Sequence, residues 1–190
     1  MTVRGAPITN LADALNRDCV LIKKGDSVTV KVEASLAALG WVGGTFFRWV
    51  DDGSGEPCLG LSYGVAAGYA VFGSGEEGDQ YTSLTGQNTR YSYVNLFYGN
   101  AIFATRNFER HTYASRNGVG PLVPLTYKFN GLVYVSENGL LTTEDESDPA
   151  VNAGGLFPDG EPITAPFSPV GVCAVTPQAQ AKGYLFAQMF

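Results

Sequence analysis

One histidine and three cysteines in 190 residues leave little material for metal or thiol chemistry. Cys19, Cys58 and Cys173 are odd in number, far apart and form no Cys-x-x-Cys pair, which excludes a zinc knuckle and a fully paired disulfide framework. An unpaired count fits assembly in a reducing compartment. The chain has no Gly-Lys-Ser/Thr phosphate loop. No apolar run approaches the roughly 20 residues of a membrane helix, and residues 1–7 hold no apolar stretch of signal-peptide length. A soluble protein without a cleaved leader is expected. Charge is scarce too, at 16% of residues against an average of about 25%. Twelve Lys and Arg against eighteen Asp and Glu give a net charge of −6. Nucleic acid and anionic membranes both demand a basic face, so neither is expected as the main partner.

What remains is glycine and aromatic residues. There are 24 Gly, 10 Tyr and 11 Phe, within a hydrophobic fraction of 45% that excludes a disordered chain. The length suits one domain, or one domain with an appended subdomain, and is enough to bury a real core. Low charge with many glycines and aromatics reads as an all-β protein with many turns and at most one or two short helices. The same composition suits a surface covered by neighbours, because interface cores are poor in charge and rich in aromatics.

Taken in order, residues 1–8 read as an extended arm, with Gly5 and Pro7 opposing helix. A short helix is expected over 9–16, capped by Thr9 or Asn10. Residues 19–23 and 27–32, joined by Lys24, Gly25 and Asp26, read as a hairpin in which Val28, Val30 and Val32 alternate with polar residues. A helical turn or loop at 34–39 precedes an aromatic strand at 45–50 and two further strands at 59–63 and 67–72. Residues 73–79 form a polar glycine-rich loop. The Tyr-rich stretch from 80 leads into a second hairpin, 96–98 and 101–106, about a Gly99-Asn100 turn. Residues 108–113 continue that strand. The break at 117–121 separates an N-terminal β-rich region, 9–117, from a C-terminal β module of sandwich or barrel type, 118–190. That module opens with a hairpin about Asn138-Gly139, for which a type I′ turn is expected. It closes with strands at 170–175 and 184–190, the last tying the C-terminus into a sheet or an interface. Between them lies a long acidic loop rich in Pro and Gly, 144–169, a length that usually carries function or reaches a partner.

Candidate chemistry is thin. Glu144, Asp145, Glu146 and Asp148 lack calcium-loop spacing and read as a solvated acidic face. His111, the one ready general base, has Ser92 and Ser115 in its wider neighbourhood but reads as a strand residue packed among tyrosines or at a subunit contact. The Gly43-Gly44 pair and Gly73-Ser74-Gly75 are turns. No catalytic residue, metal or cofactor is expected. The aromatic residues Phe46, Phe47, Trp49, Tyr91, Tyr93, Phe97 and Tyr98 have two readings: sheet core, or a subunit interface or sugar-stacking platform. With Tyr184, Phe186 and Phe190 of the last strand they make up the candidate interface.

The C-terminal third carries a resemblance. Its string GLVYVSENGLLTTED, then a Pro/Gly-rich loop, then PVGVCAVTPQAQAKGYLFAQMF, resembles the C-terminal β module of tailed-phage capsid decoration (cement) proteins. The matching residues are 133–142, 169–172 and 183–190. The resemblance implies a non-enzymatic virion protein, made in the host cytoplasm, that binds the outside of the capsid lattice. Its partners would be the major capsid protein and itself, as a homotrimer. A carbohydrate-binding head fibre or adhesin is the alternative reading of the Tyr-rich surface.

Overall fold

The regular elements of this chain are mostly strands, and the computed structural model describes residues 19–23, 25–71, 93–177 and 183–190. The strands are β1 (Cys19–Lys23), β2 (Asp26–Val32), β3 (Phe46–Val50), β4 (Cys58–Leu61), β5 (Gly68–Ala70), β6 (Tyr93–Tyr98), β7 (Ile102–Thr105), β8 (Leu132–Val135), β9 (Leu141–Thr142), β10 (Gly171–Val175) and β11 (Leu185–Met189). Two short helices, α1 (Ala34–Leu39) and α2 (Tyr113–Arg116), complete the regular elements among the described residues. The protein is all-β. The arm at 1–8, the helix at 9–16, the loop at 73–79 and the Tyr-rich stretch up to residue 92 fall outside the described residues.

The strands form two bodies: a six-stranded sheet in the order β1-β7-β11-β10-β8-β9, and a closed five-stranded barrel in the order β2-β4-β3-β5-β6. Neither hairpin expected in the first half forms. β1 pairs with β7, whereas β2 pairs with β6 and β4. The chain crosses from sheet to barrel after β1 and returns between β6 and β7, and the two crossings run side by side: Lys23 pairs with Ile102 and Asp26 with Tyr98. What alternation suggested as two hairpins is one two-stranded ribbon bent between two sheets, the way strands turn corners in orthogonal packings. Gly25 makes the bend, since a Cβ there would sit 2.2 Å from the Tyr98 carbonyl oxygen. Gly99, at φ +76°, turns the other strand.

Each body has its own core, and β3 feeds both. Phe46 packs between barrel and sheet with Tyr69, Phe97, Phe103 and Leu185, while Phe47 enters the barrel with Val30, Val32, Leu59, Val94 and Leu96. Neighbours in a strand face opposite ways, so two adjacent phenylalanines fill two cores. The barrel is narrow enough for side chains to fill it. Leu36 of α1 and the following Trp41 add to that filling, with Trp41 edge-on to Phe47 at 5.6 Å.

The expected C-terminal strands are present. β10 and β11 pair antiparallel with a bulge between Cys173 and Val175, and Leu185, Ala187 and Met189 of β11 point inward. β11 lies between β10 and β7. The sheet therefore draws strands from both sides of the break at 117–121, and residues 118–190 do not form a sheet of their own. Residues 108–112 do not extend β7 either. They contribute single bridges, Phe108 to Leu141 and His111 to Pro124, and then enter α2.

The 144–169 loop is exposed over much of its length, Asp148 included, but is pinned to the body by a few buried side chains. Phe157 and Phe167 pack on Tyr63 at 5.5 and 5.0 Å. Gly64 lies so close beneath that a Cβ would meet the Phe167 ring at 2.4 Å. Phe167 N–H donates to Ser147 Oγ at 2.8 Å, which closes the loop on itself. Among the described residues no helix is long and apolar enough to cross a membrane.

Candidate interaction surface

The ten aromatic residues picked out by sequence separate cleanly by burial. Phe46, Phe47, Phe97 and Tyr184 belong to the interior and offer a partner no free ring. Tyr93 and Phe186 are half-buried. Trp49, Tyr98 and Phe190 are exposed by 53%, 40% and 61%. Tyr91 lies outside the described residues. Alternation separates Phe97 from Tyr98, whereas Phe46 and Phe47 are both buried because each face of β3 meets a core at that end, and Trp49, on the same face as Phe47, lies beyond the barrel core.

Four of the ten converge on one cleft of about 260 Å³ where the barrel meets the sheet. Its exposed rim is Val65, Tyr98 and Phe190, and its floor includes Phe46, Phe97 and Met189. The local backbone explains why these residues meet. Gly68 lets β5 approach β6 so closely that a Cβ would stand 2.3 Å from the Phe97 carbonyl oxygen. At the other wall, Phe190 N–H donates to the Val170 carbonyl at 3.2 Å and Met189 N–H to that of Ala101 at 2.8 Å, which fixes the end of β11 over the ribbon. No Asp, Glu, Lys, Arg or His lines the cleft. It offers apolar contact, the side chains of Tyr69, Tyr98 and Ser168, and backbone groups, equipment that suits a docking surface. Trp49, on β3, is not among its lining residues.

His111 lies at the single bridge to Pro124. Ser115 Oγ bonds to the Thr112 carbonyl and side chain, at 3.0 Å each, within the turn that starts α2. Ser92 is outside the described residues. Cys19, Cys58 and Cys173 are buried and none of them is in a disulfide. Among the described residues no group of three His, Cys, Asp or Glu is placed to hold a metal ion.

Sequence reasoning missed a buried ionic cluster, and its reading of Glu144 and Glu146 as a solvated face is corrected here. Glu146 has no solvent exposure. Its Oε1 lies 2.5 Å from Arg116 Nη2, and its Oε2 accepts the Glu137 N–H at 3.1 Å. The Arg116 Nε is 3.4 Å from Glu109 Oε2 and Nη2 is 3.7 Å from Glu137 Oε1. Nη1 donates to the His111 carbonyl at 2.8 Å. Glu109, also buried, accepts from Ser136 Oγ at 2.7 Å and Asn138 Nδ2 at 2.9 Å. Glu144 accepts the Tyr113 N–H at 2.6 Å, capping the first turn of α2. Burial pushes the Glu146 carboxyl up to about 7, against the pull of the Arg116 guanidinium. The residues involved are scattered from 109 to 146 with no common period, so no local pattern announces them. The cluster ties α2, the β8–β9 turn and the start of the long loop together.

No family model matches the chain, and no curated protein or solved structure proves similar to it.

Proposed function

We propose that this chain is a structural virion protein, a capsid decoration or cement protein that binds the outside of an expanded phage head and stabilises it. The observation that carries this reading is the charge-free cleft rimmed by Val65, Tyr98 and Phe190. Exposed apolar side chains gathered at a concavity mark association surfaces, and aromatic anchors in such pockets supply most of the binding energy. The residues that carry the resemblance to decoration proteins also supply part of this cleft: Pro169 and Val170 stand on one wall, Met189 and Phe190 on another. The partners are the major capsid protein and further copies of the chain, as a homotrimer. The mechanism is thermodynamic. A protein that binds the expanded lattice and not the free subunit shifts the equilibrium against disassembly, and many copies on one shell add avidity.

Co-sedimentation with shells of the phage that encodes the chain tests this directly. The wild type pellets with expanded shells and stays behind with free coat subunits. Tyr98→Ala and Phe190→Ala each weaken binding by about 2 kcal/mol, roughly 30-fold, while far-ultraviolet dichroism stays unchanged. Binding that ignores both substitutions overturns the role of the cleft. The second reading, glycan recognition, rests on the exposed indole of Trp49. Glycan-array binding that Trp49→Ala abolishes favours that reading over the first.

A further inference from the structure

Inside this protein three carboxylates share one guanidinium, and the charges do not balance. Glu109 comes from the segment before α2, Arg116 from α2, Glu137 from the β8–β9 turn and Glu146 from the loop after β9. The other titratable groups facing them are hydroxyls: Tyr63 from the barrel side, Tyr113 on α2, and Tyr127, which donates to the Glu109 carbonyl at 2.8 Å, all made harder to ionise by burial first and by these carboxylates second. Glu144, on the same loop, is engaged with the Tyr113 amide, and His111 contributes its carbonyl. Among the described residues the ion pairs given to these carboxylates all go to Arg116. Three ionised carboxylates and one arginine would leave two negative charges largely out of water. Burying uncompensated charge is costly, and the cheapest relief is uptake of a proton. Glu146 is the member with no exposure at all, so it is the place where a proton relieves most.

We propose that Glu109, Arg116, Glu137 and Glu146 form a proton-operated clasp that holds the start of the 144–169 loop against α2 and the β8–β9 turn. With one proton on the cluster the three segments are locked. When the proton leaves, repulsion among the carboxylates loosens the loop from α2 while the sheet and the barrel stay intact. The inference is independent of the capsid reading and fails or stands without it.

Amide hydrogen exchange tests it, with rates corrected for their intrinsic dependence on pH. As pH rises from about 5 to about 8.5, the amides of Tyr113 and Glu137 lose about tenfold or more of their protection, whereas those of Ala187 and Met189 in β11 keep theirs. Glu146→Gln, which cannot ionise, keeps the Tyr113 and Glu137 amides protected across the same range. A difference infrared spectrum of the wild type shows a protonated carboxyl at the lower pH that the variant lacks. Protection in the wild type that does not change with pH overturns the clasp. So does a variant that loosens in the same window. Should Glu146→Gln fail to fold, the two wild-type titrations decide together: loss of amide protection that coincides with loss of a protonated carboxyl band near neutral pH upholds the clasp, and either change without the other sinks it.

Discussion

Phe46 and Phe47 follow one another in sequence and enter different cores, so a truncation at either reports on a different body. Phe47 is wholly buried in the barrel beside Trp41. Phe47→Ala should cost about 3–5 kcal/mol in chemical denaturation, because a large ring leaves a void that a small closed barrel cannot collapse around. Trp49, two residues on and half-exposed, should cost within about 0.5 kcal/mol when cut to alanine. Glu146 sets the third expectation at this scale. Its folded value of about 7 stands above the ordinary 4.5, so the folded form holds the proton more tightly than the unfolded form does. The resulting stabilisation is complete below about pH 4.5, shrinks as pH rises, and is gone above about pH 7. Denaturation midpoints of Glu146→Gln relative to wild type should therefore improve steadily across that window. A constant difference at every pH would mean that Glu146 stays ionised in the fold.

Among the elements, the β8–β9 hairpin shows how far local sequence reaches. Asn138-Gly139 marked the right place, but only Gly139 takes positive φ there, at +69°, and the connection is the wider turn in which Ser136 N–H bonds to the Leu140 carbonyl at 2.8 Å. The reason is tertiary: the Asn138 side chain donates to Glu109, 29 residues away. Gly139 is also pressed against the barrel, where a Cβ would come within 2.5 Å of Leu61 Cδ1. Gly155, at φ +58°, has open space around it. Gly139→Ala should thus lose at least about 1 kcal/mol more stability than Gly155→Ala, since both bear the conformational cost and only one meets an obstacle. Strand positions were legible because alternation is local. Strand partners were not, because β1, β2, β6 and β7 have the length and turn residues of two hairpins. Only the close approach of Gly25 to Tyr98 discloses the corner. α2 was hidden for a similar reason, its first amide being capped by Glu144 from 31 residues away.

At the scale of the whole molecule, the bent ribbon and β11 weld barrel and sheet into neighbours, and the cleft of Tyr98 and Phe190 opens along that seam. The aromatic composition pointed to such a surface. Which rings would be free was not readable in advance, because burial depends on what packs over each strand face: Phe47 and Trp49 share a face of β3, and only Phe47 is covered by the barrel core. For the proposed role in holding a shell together, the decisive quantity is the melting temperature of expanded shells with and without a saturating amount of the protein. The account predicts a clear rise with the wild type and little or none with a Tyr98→Ala, Phe190→Ala double variant. Shells that melt at the same temperature with the wild-type protein demonstrably bound would contradict it.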